Sequence, residues 1–227
     1  MRYIIKNLLL FSVISMLGLM ACNRAPELPV IPVIDFQEVI FKEVDGPDSL
    51  IVSIYFEDGD GDLGLTSFDI TDPFQPYDVV LDENGDTIRI GSRPDLPPYN
   101  PIDYIIIRDR DGNAVDTVLV ELNENHYNFF VRFFTKKNGQ YTEFDWRDPP
   151  YYQTFDGRFP LLNRDISDGQ LRERPLEGEL RYGMTSSGWL FLFRDSLKLT
   201  IQIQDRSLNR SNVVESPDFT LDMIRKP

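Results

Sequence analysis

Three segments of the chain alternate apolar and polar residues, as strands with one buried face do. Residues 50–56 put four apolar side chains on one face: Leu50, Val52, Ile54 and Phe56. Residues 197–204 alternate Leu or Ile with Lys, Thr or Gln without interruption, and residues 127–134 align Tyr127, Phe129, Val131 and Phe133. Because successive side chains of a strand point to opposite faces, we predict three strands that each turn an apolar face to a core.

Short turn motifs separate the β-rich segments. Asn-Gly and Asp-Gly pairs, which accept the positive φ angles of tight hairpins, occur within residues 82–86, 109–113 and 137–140. No long segment repeats its apolar residues with the 3.6-residue period of a helix. We therefore predict an all-β antiparallel sandwich with about ten short strands between Ile34 and Met223. Residues 145–175 hold four prolines and little alternation, and we interpret them as a long Pro- and aromatic-rich insertion.

The composition narrows the classes of function. The 227 residues carry a net charge of −14, with one Cys and one His. One Cys excludes an internal disulfide and a cysteine-rich zinc site, and one His leaves few ways to build a His-based catalytic centre. The acidic excess argues against a nucleic-acid partner, which would need a basic face.

The N-terminus has the form of an export signal. Arg2 and Lys6 precede a short apolar stretch that ends at Ala21. The sequence Leu19-Met20-Ala21-Cys22 resembles the lipobox of bacterial lipoproteins, which implies cleavage before Cys22 and attachment of acyl chains to it. We therefore expect a signal peptide at residues 1–21, a lipidated Cys and Pro-rich tether at residues 22–33, and a β-sandwich domain at residues 34–227, with the lipid anchor holding the protein to a membrane.

The segment from Glu57 to Gly64 contains the sharpest local motif. Asp58, Asp60 and Asp62 alternate with glycines. Calcium takes six to eight oxygen ligands, and alternate Asp residues in a tight loop can converge on one ion. The alternative is a solvated turn, because this chain uses Asp-Gly turns elsewhere.

Several turn motifs together carry a wider resemblance. They are the Asp-Gly-Asp-Gly-Asp-Leu-Gly loop, the Lys-Lys-Asn-Gly hairpin, Glu-Gly-Glu-Leu from residue 177, and Asp-Arg-Ser-Leu-Asn-Arg-Ser-Asn from residue 205. The chain resembles small lipoproteins of the Bacteroidota, and its last element is similar to the final hairpin of bacterial immunoglobulin-like domains. The resemblance implies an immunoglobulin-like sandwich on an outer-membrane lipoprotein, on a periplasmic or surface face that the sequence leaves open. It implies no activity.

The implied fold brings two distant loops to one rim. If residues 50–57 and 197–204 are strands B and F of such a sandwich, the loops after them emerge at the same end. Asp205 and Asn209 would then join the three aspartates as calcium ligands. The alternative is that Asp205 and Asn209 only cap their own loop.

Two further functions compete with a non-enzymatic binding or assembly module of the envelope. Aromatic residues crowd residues 141–159, and the candidates for stacking on a glycan are Trp146, Tyr151, Tyr152 and Phe155. The second alternative is a hydrolase with an acidic pair that no motif locates, because 37 Asp and Glu residues supply many pairs. Since no catalytic motif is present, we predict that the protein is not an enzyme and that its partner is an envelope protein or a glycan.

Overall fold

The computed structural model describes residues 27–163, 166–167, 170–171 and 174–226. These residues form twelve strands: β1 Val33–Lys42, β2 Asp48–Asp58, β3 Tyr77–Val79, β4 Tyr104–Arg108, β5 Ala114–Leu122, β6 Phe129–Lys137, β7 Gln140–Phe144, β8 Ile166–Ser167, β9 Gln170–Leu171, β10 Leu176–Ser186, β11 Leu197–Ile203 and β12 Val214–Glu215. Helical structure in this part of the chain is limited to a 3₁₀ turn at Glu124–His126 and to α1, Trp189–Leu192.

The strands pair antiparallel in four sheets. A three-stranded sheet has the order β1-β2-β10, and a four-stranded sheet has the order β12-β11-β6-β7. Strands β3, β5 and β4 form a smaller sheet, and β8 pairs with β9. One hydrophobic core contains side chains from both of the first two sheets, so the fold is all-β, consistent with a sandwich.

The alternating segments form the centre of that core. The apolar residues of β2, Leu50, Val52, Ile54 and Phe56, are buried, and so are Leu197, Leu199, Ile201 and Ile203 of β11. Phe129, Val131 and Phe133 face the same core from β6, which pairs with β11. The period of two therefore identified the strands and their buried faces correctly.

The three expected turns also lie between paired strands. Residues 109–113 connect β4 to β5, and residues 138–139 connect β6 to β7. The turn at residues 82–86 is closed by a bridge between Leu81 and Thr87. Gly85, Gly112 and Gly139 all have positive φ, which explains why these turns require glycine.

Residues 145–163 are more deeply integrated than a surface insertion. Trp146 and Phe159 are buried in the main core, and Phe155 and Tyr151 pack against it. Phe159 is held by Asn128, whose side chain bonds both its backbone N and its backbone O. The prolines and the lack of alternation indicate an irregular backbone. The aromatic rings of this segment pack it against the core.

The sandwich has two ends, a loop end and a far end. At the loop end, β2 finishes at Asp58, β11 finishes at Ile203 and β1 begins at Val33. The far end carries the turn of residues 43–47 and helix α1. The C-terminal segment also reaches the far end, because the backbone of Phe41 bonds Ile224 and Lys226.

Candidate metal centre

Strand β2 delivers Asp58 into the core side of the loop end. Its alternating positions put Asp58 on the same face as Ile54 and Phe56, so the carboxyl is completely buried. The chain then turns through Gly59, Gly61 and Gly64, where other backbone segments approach closely. A Cβ on Gly61 would lie 1.9 Å from the carbonyl oxygen of Arg174, and Gly61 has a φ of +71°. Glycine is therefore required by steric contact as well as by backbone angle.

Three carboxyl groups converge in this loop. One oxygen from each of Asp58, Asp60 and Asp62 lies within 4.8 Å of the other two. Both oxygens of Asp58 and one oxygen of each of the others are buried without a hydrogen-bond partner among the described residues. Two unit charges 4.8 Å apart repel by roughly 3 kcal/mol at an effective dielectric constant of 20. The site therefore needs a cation or protons to be stable.

Burial and charge both favour the protonated form of these acids. Burial, followed by the charges of Asp60 and Asp62, raises the pKa of Asp58 to about 8. A proton on Asp58 can be shared with Asp60, which adds to this rise. Burial also raises the pKa of Asp62, although Ser207 opposes the effect, and it raises the pKa of Asp205 to about 6. A cation would replace these protons.

The early and late loops meet, as the sequence predicts. Leu63 and Asp205 form a β-bridge. Ser207 donates to Asp62 from its backbone N at 3.0 Å and from its hydroxyl at 2.8 Å. Ser207 was not among the sequence candidates, although it lies within the loop from Asp205 that the sequence singles out.

Asp205 and Asn209, the other two calcium ligands that the sequence suggests, bond each other within their own loop. Asp205 lies outside the group of converging oxygens, and its carboxylate accepts bonds from the backbone N and the side-chain Nδ2 of Asn209. These bonds form an Asx-type turn, which occupies both carboxylate oxygens of Asp205 within the loop. Asp205 contributes negative charge near the site, because its charge adds to the rise in the pKa of Asp58.

The expected tether contacts this same loop. The carbonyl oxygen of Pro29 accepts a bond from the backbone N of Gly59 at 2.7 Å, and the backbone of Leu28 lies against Gly59. The described part of the tether therefore lies on the domain instead of extending away from it. Cys22 lies outside the described residues, and its lipidation stays a prediction.

The aromatic candidates form an internal cluster. The ring of Trp146 is only 4% exposed and meets Tyr151 and Phe155 at centroid distances of 5.4 and 4.8 Å. It also contacts Phe133, Phe144, Trp189 and Phe193. These contacts of Trp146 are edge-to-face, and its burial leaves no ring surface on which a sugar could stack, whereas Phe155 and Tyr151 are only partly buried. Tyr152 is half-buried and has no ring partner of this kind among the described contacts.

A broad cavity of about 550 Å³ lies between the small sheet and the sandwich. Its lining includes five acids, Asp78, Asp103, Glu121, Glu124 and Asp148, together with Arg147. Most of these acids are exposed to solvent, and Arg210 lowers the pKa of Glu124. A glycosidase needs one carboxyl that stays protonated, which burial favours, and most of these acids are not buried.

The comparisons with known proteins add no family. No family model, no curated protein and no solved structure matches this chain. Within the described residues, no helix has both the length and the apolar character needed to cross a bilayer.

Proposed function

We propose that this protein is a non-enzymatic lipoprotein of the bacterial outer membrane that presents one calcium-stabilised β-sandwich as a binding or assembly module. The converging carboxyl groups of Asp58, Asp60 and Asp62 carry the calcium part of the proposal, because both oxygens of Asp58 and one oxygen of each of the others are buried without a hydrogen-bond partner among the described residues. The Leu19-Met20-Ala21-Cys22 sequence supports the lipid anchor. The immunoglobulin-like identity is supported by β2 and β11, which contribute to one core from opposite sheets.

Calcium is the cation that suits these ligands best. All three side chains offer hard oxygen atoms, and neither a thiolate nor an imidazole lies in the group, so the set does not resemble a zinc site. Calcium accepts irregular coordination by six to eight oxygens, and one carboxylate can supply two of them. Magnesium demands a near-ideal octahedron and gives up its water reluctantly, so a compact loop of three carboxyl groups suits it less.

A structural role follows from what the loop holds together. Asp62 bonds Ser207, Leu63 pairs with Asp205, and Gly59 bonds Pro29, so the loop joins the tether, β2 and the segment after β11. An ion here would stabilise the loop end of the sandwich. We propose no catalytic role. Most acids of the large cavity are exposed to solvent, whereas a general acid needs burial to stay protonated.

The test is thermal unfolding of chelator-treated protein with added Ca²⁺ or Mg²⁺. We expect millimolar Ca²⁺ to raise Tm clearly and Mg²⁺ to raise it much less. The matched control is Asp111→Asn, which removes one charge from an exposed Asp-Gly turn and should leave the calcium response intact. An equal response to both cations, or none, would contradict the calcium site.

A further inference from the structure

The loop of residues 66–70, which follows the candidate metal centre, exposes two apolar side chains. Phe68 is 87% exposed, more than any other large hydrophobic residue in the described part of the chain, and Ile70 is 55% exposed. Single exposed apolar residues are common on protein surfaces. A nearly fully exposed aromatic ring indicates a binding surface only if the loop that carries it has a fixed shape.

Hydrogen bonds within the loop fix its shape. Thr66 donates to the Oδ2 atom of Asp69 from its backbone N at 2.6 Å and from its hydroxyl at 2.8 Å. The backbone N of Asp69 returns a bond to the carbonyl of Thr66. Phe68 therefore lies at the tip of a closed turn.

Two arginines from distant segments hold this turn against the domain. Arg206 makes a bidentate ion pair with Asp69, with distances of 2.6 and 3.0 Å, and it lowers the pKa of that carboxyl well below its usual range. Arg158 donates to the carbonyl oxygens of Thr66 and Asp69 at 2.8 and 3.0 Å. Bidentate pairs of this kind fix geometry as well as adding energy. The exposure of Phe68 is thus maintained by the fold and does not reflect a frayed loop.

The turn lies at the end of the domain that the proposed lipid anchor would reach. Leu28 contacts Gly59 of the acidic loop, and only six residue steps separate Leu28 from Cys22. At roughly 3.5 Å per residue, that segment spans at most about 20 Å. If Cys22 is lipidated, as proposed above, the loop end cannot move far from the bilayer.

We propose that Phe68 and Ile70 insert into the interface between lipid headgroups and acyl chains and seat the loop end of the domain on the membrane. Two side chains are too small a patch for a stable protein partner, which would cover roughly 800 Å² on each side. They are sufficient for an anchored protein, because the tether makes membrane contact effectively intramolecular. Aromatic side chains are favoured at that depth of a bilayer.

The test uses the full lipidated chain, reconstituted into phosphatidylcholine vesicles with or without brominated acyl chains. Phe68→Trp places an indole at the tip of the turn, and brominated lipid quenches an indole only on contact. The native Trp146 and Trp189 are buried in the core and give a constant background. We expect brominated lipid to remove most of the added emission. Val44→Trp is the matched control, because Val44 is 50% exposed in the turn at the far end, and its emission should not change.

The outcomes separate this inference from the proposed anchor. Protein that floats with the vesicles but shows no quenching at position 68 overturns the membrane contact and leaves the anchor standing. Protein that does not float with the vesicles overturns both. Shielding of position 68 from an aqueous quencher without quenching by lipid would indicate contact with a second protein chain, and this too contradicts the inference.

Discussion

Replacing Asp58 with Asn should stabilise the metal-free protein and abolish its response to calcium. Asp58 is fully buried, and its pKa is raised to about 8 from an ordinary value near 4. The native state therefore holds a proton that the unfolded chain releases at neutral pH. Stability from this group is complete below about pH 4 and is lost as the pH rises towards 8, because the unfolded state then binds fewer protons than the native state.

The size of the effect follows from the same shift. Four pKa units correspond to roughly 5 kcal/mol at 1.36 kcal/mol per unit, and local opening or water entry reduces this upper bound. We expect Asp58→Asn to gain about 2–3 kcal/mol in chelator at pH 8.5 and only about 0.5–1 kcal/mol at pH 5, where the native Asp58 is protonated and only the unfolded chain has ionised. The neutral amide has the shape of the carboxyl and can donate to Asp60, so the cavity stays filled.

Calcium should close the stability gap between the two proteins. In the wild type, an ion present at a hundredfold excess over its Kd stabilises by about 2.7 kcal/mol, or roughly 5–11 °C in Tm for a chain of this size. The variant lacks a ligand and should show no such rise. The assay is chemical and thermal unfolding at pH 5 and 8.5, with calcium and with chelator, and Asp111→Asn serves as the charge control. If Asp58→Asn is less stable than wild type in chelator at pH 8.5, or keeps the full calcium response, the reasoning from buried charge is wrong.

Three other changes test the anchor, the core and the acidic loop. Cys22→Ser should move the protein from the membrane fraction to the soluble fraction, and unchanged membrane retention would refute lipidation. Ile201→Asp should cost several kcal/mol in urea unfolding because it buries an unpaired charge, whereas Thr200→Asp on the opposite face of β11 should cost little. Gly61→Ala should destabilise the protein more than Gly112→Ala, since both glycines have positive φ but only Gly61 meets a backbone carbonyl; equal losses in Tm would show that the backbone angle alone matters.

The elements that the sequence predicted well are those encoded locally. The period of two in residues 50–56 and 197–204 is sufficient to define β2 and β11, because each strand has one face in the core. The Asp-Gly and Asn-Gly turns were equally clear, since few other residues accept their backbone angles. The spacing of Asp58, Asp60 and Asp62 also revealed the centre of the candidate site, because the three residues lie within one short segment of the chain.

Contacts between distant segments were less predictable. The meeting of Leu63 with Asp205 could be inferred only through an assumed topology, and the capping of Asp205 by Asn209 then competed with metal binding. The burial of Trp146 was ambiguous, because an aromatic ring suits a core and a sugar site equally well. The hold of Arg158 on Thr66 spans 92 residues and follows no short motif, so the rigid presentation of Phe68 emerged only from the structure.

The position of the two chain ends along β1 has a mechanical consequence. The tether reaches β1 at Val33, and the C-terminal segment is bonded to Phe41 near the other end of the same strand. A load applied between an anchored N-terminus and anything held at the far end would act along β1. The β1–β2 hydrogen bonds lie perpendicular to that direction, so they would be loaded together in shear and would not open one at a time. If the proposed lipid anchor fixes the N-terminus to a membrane, this arrangement would keep the domain folded while it is pulled away from that membrane.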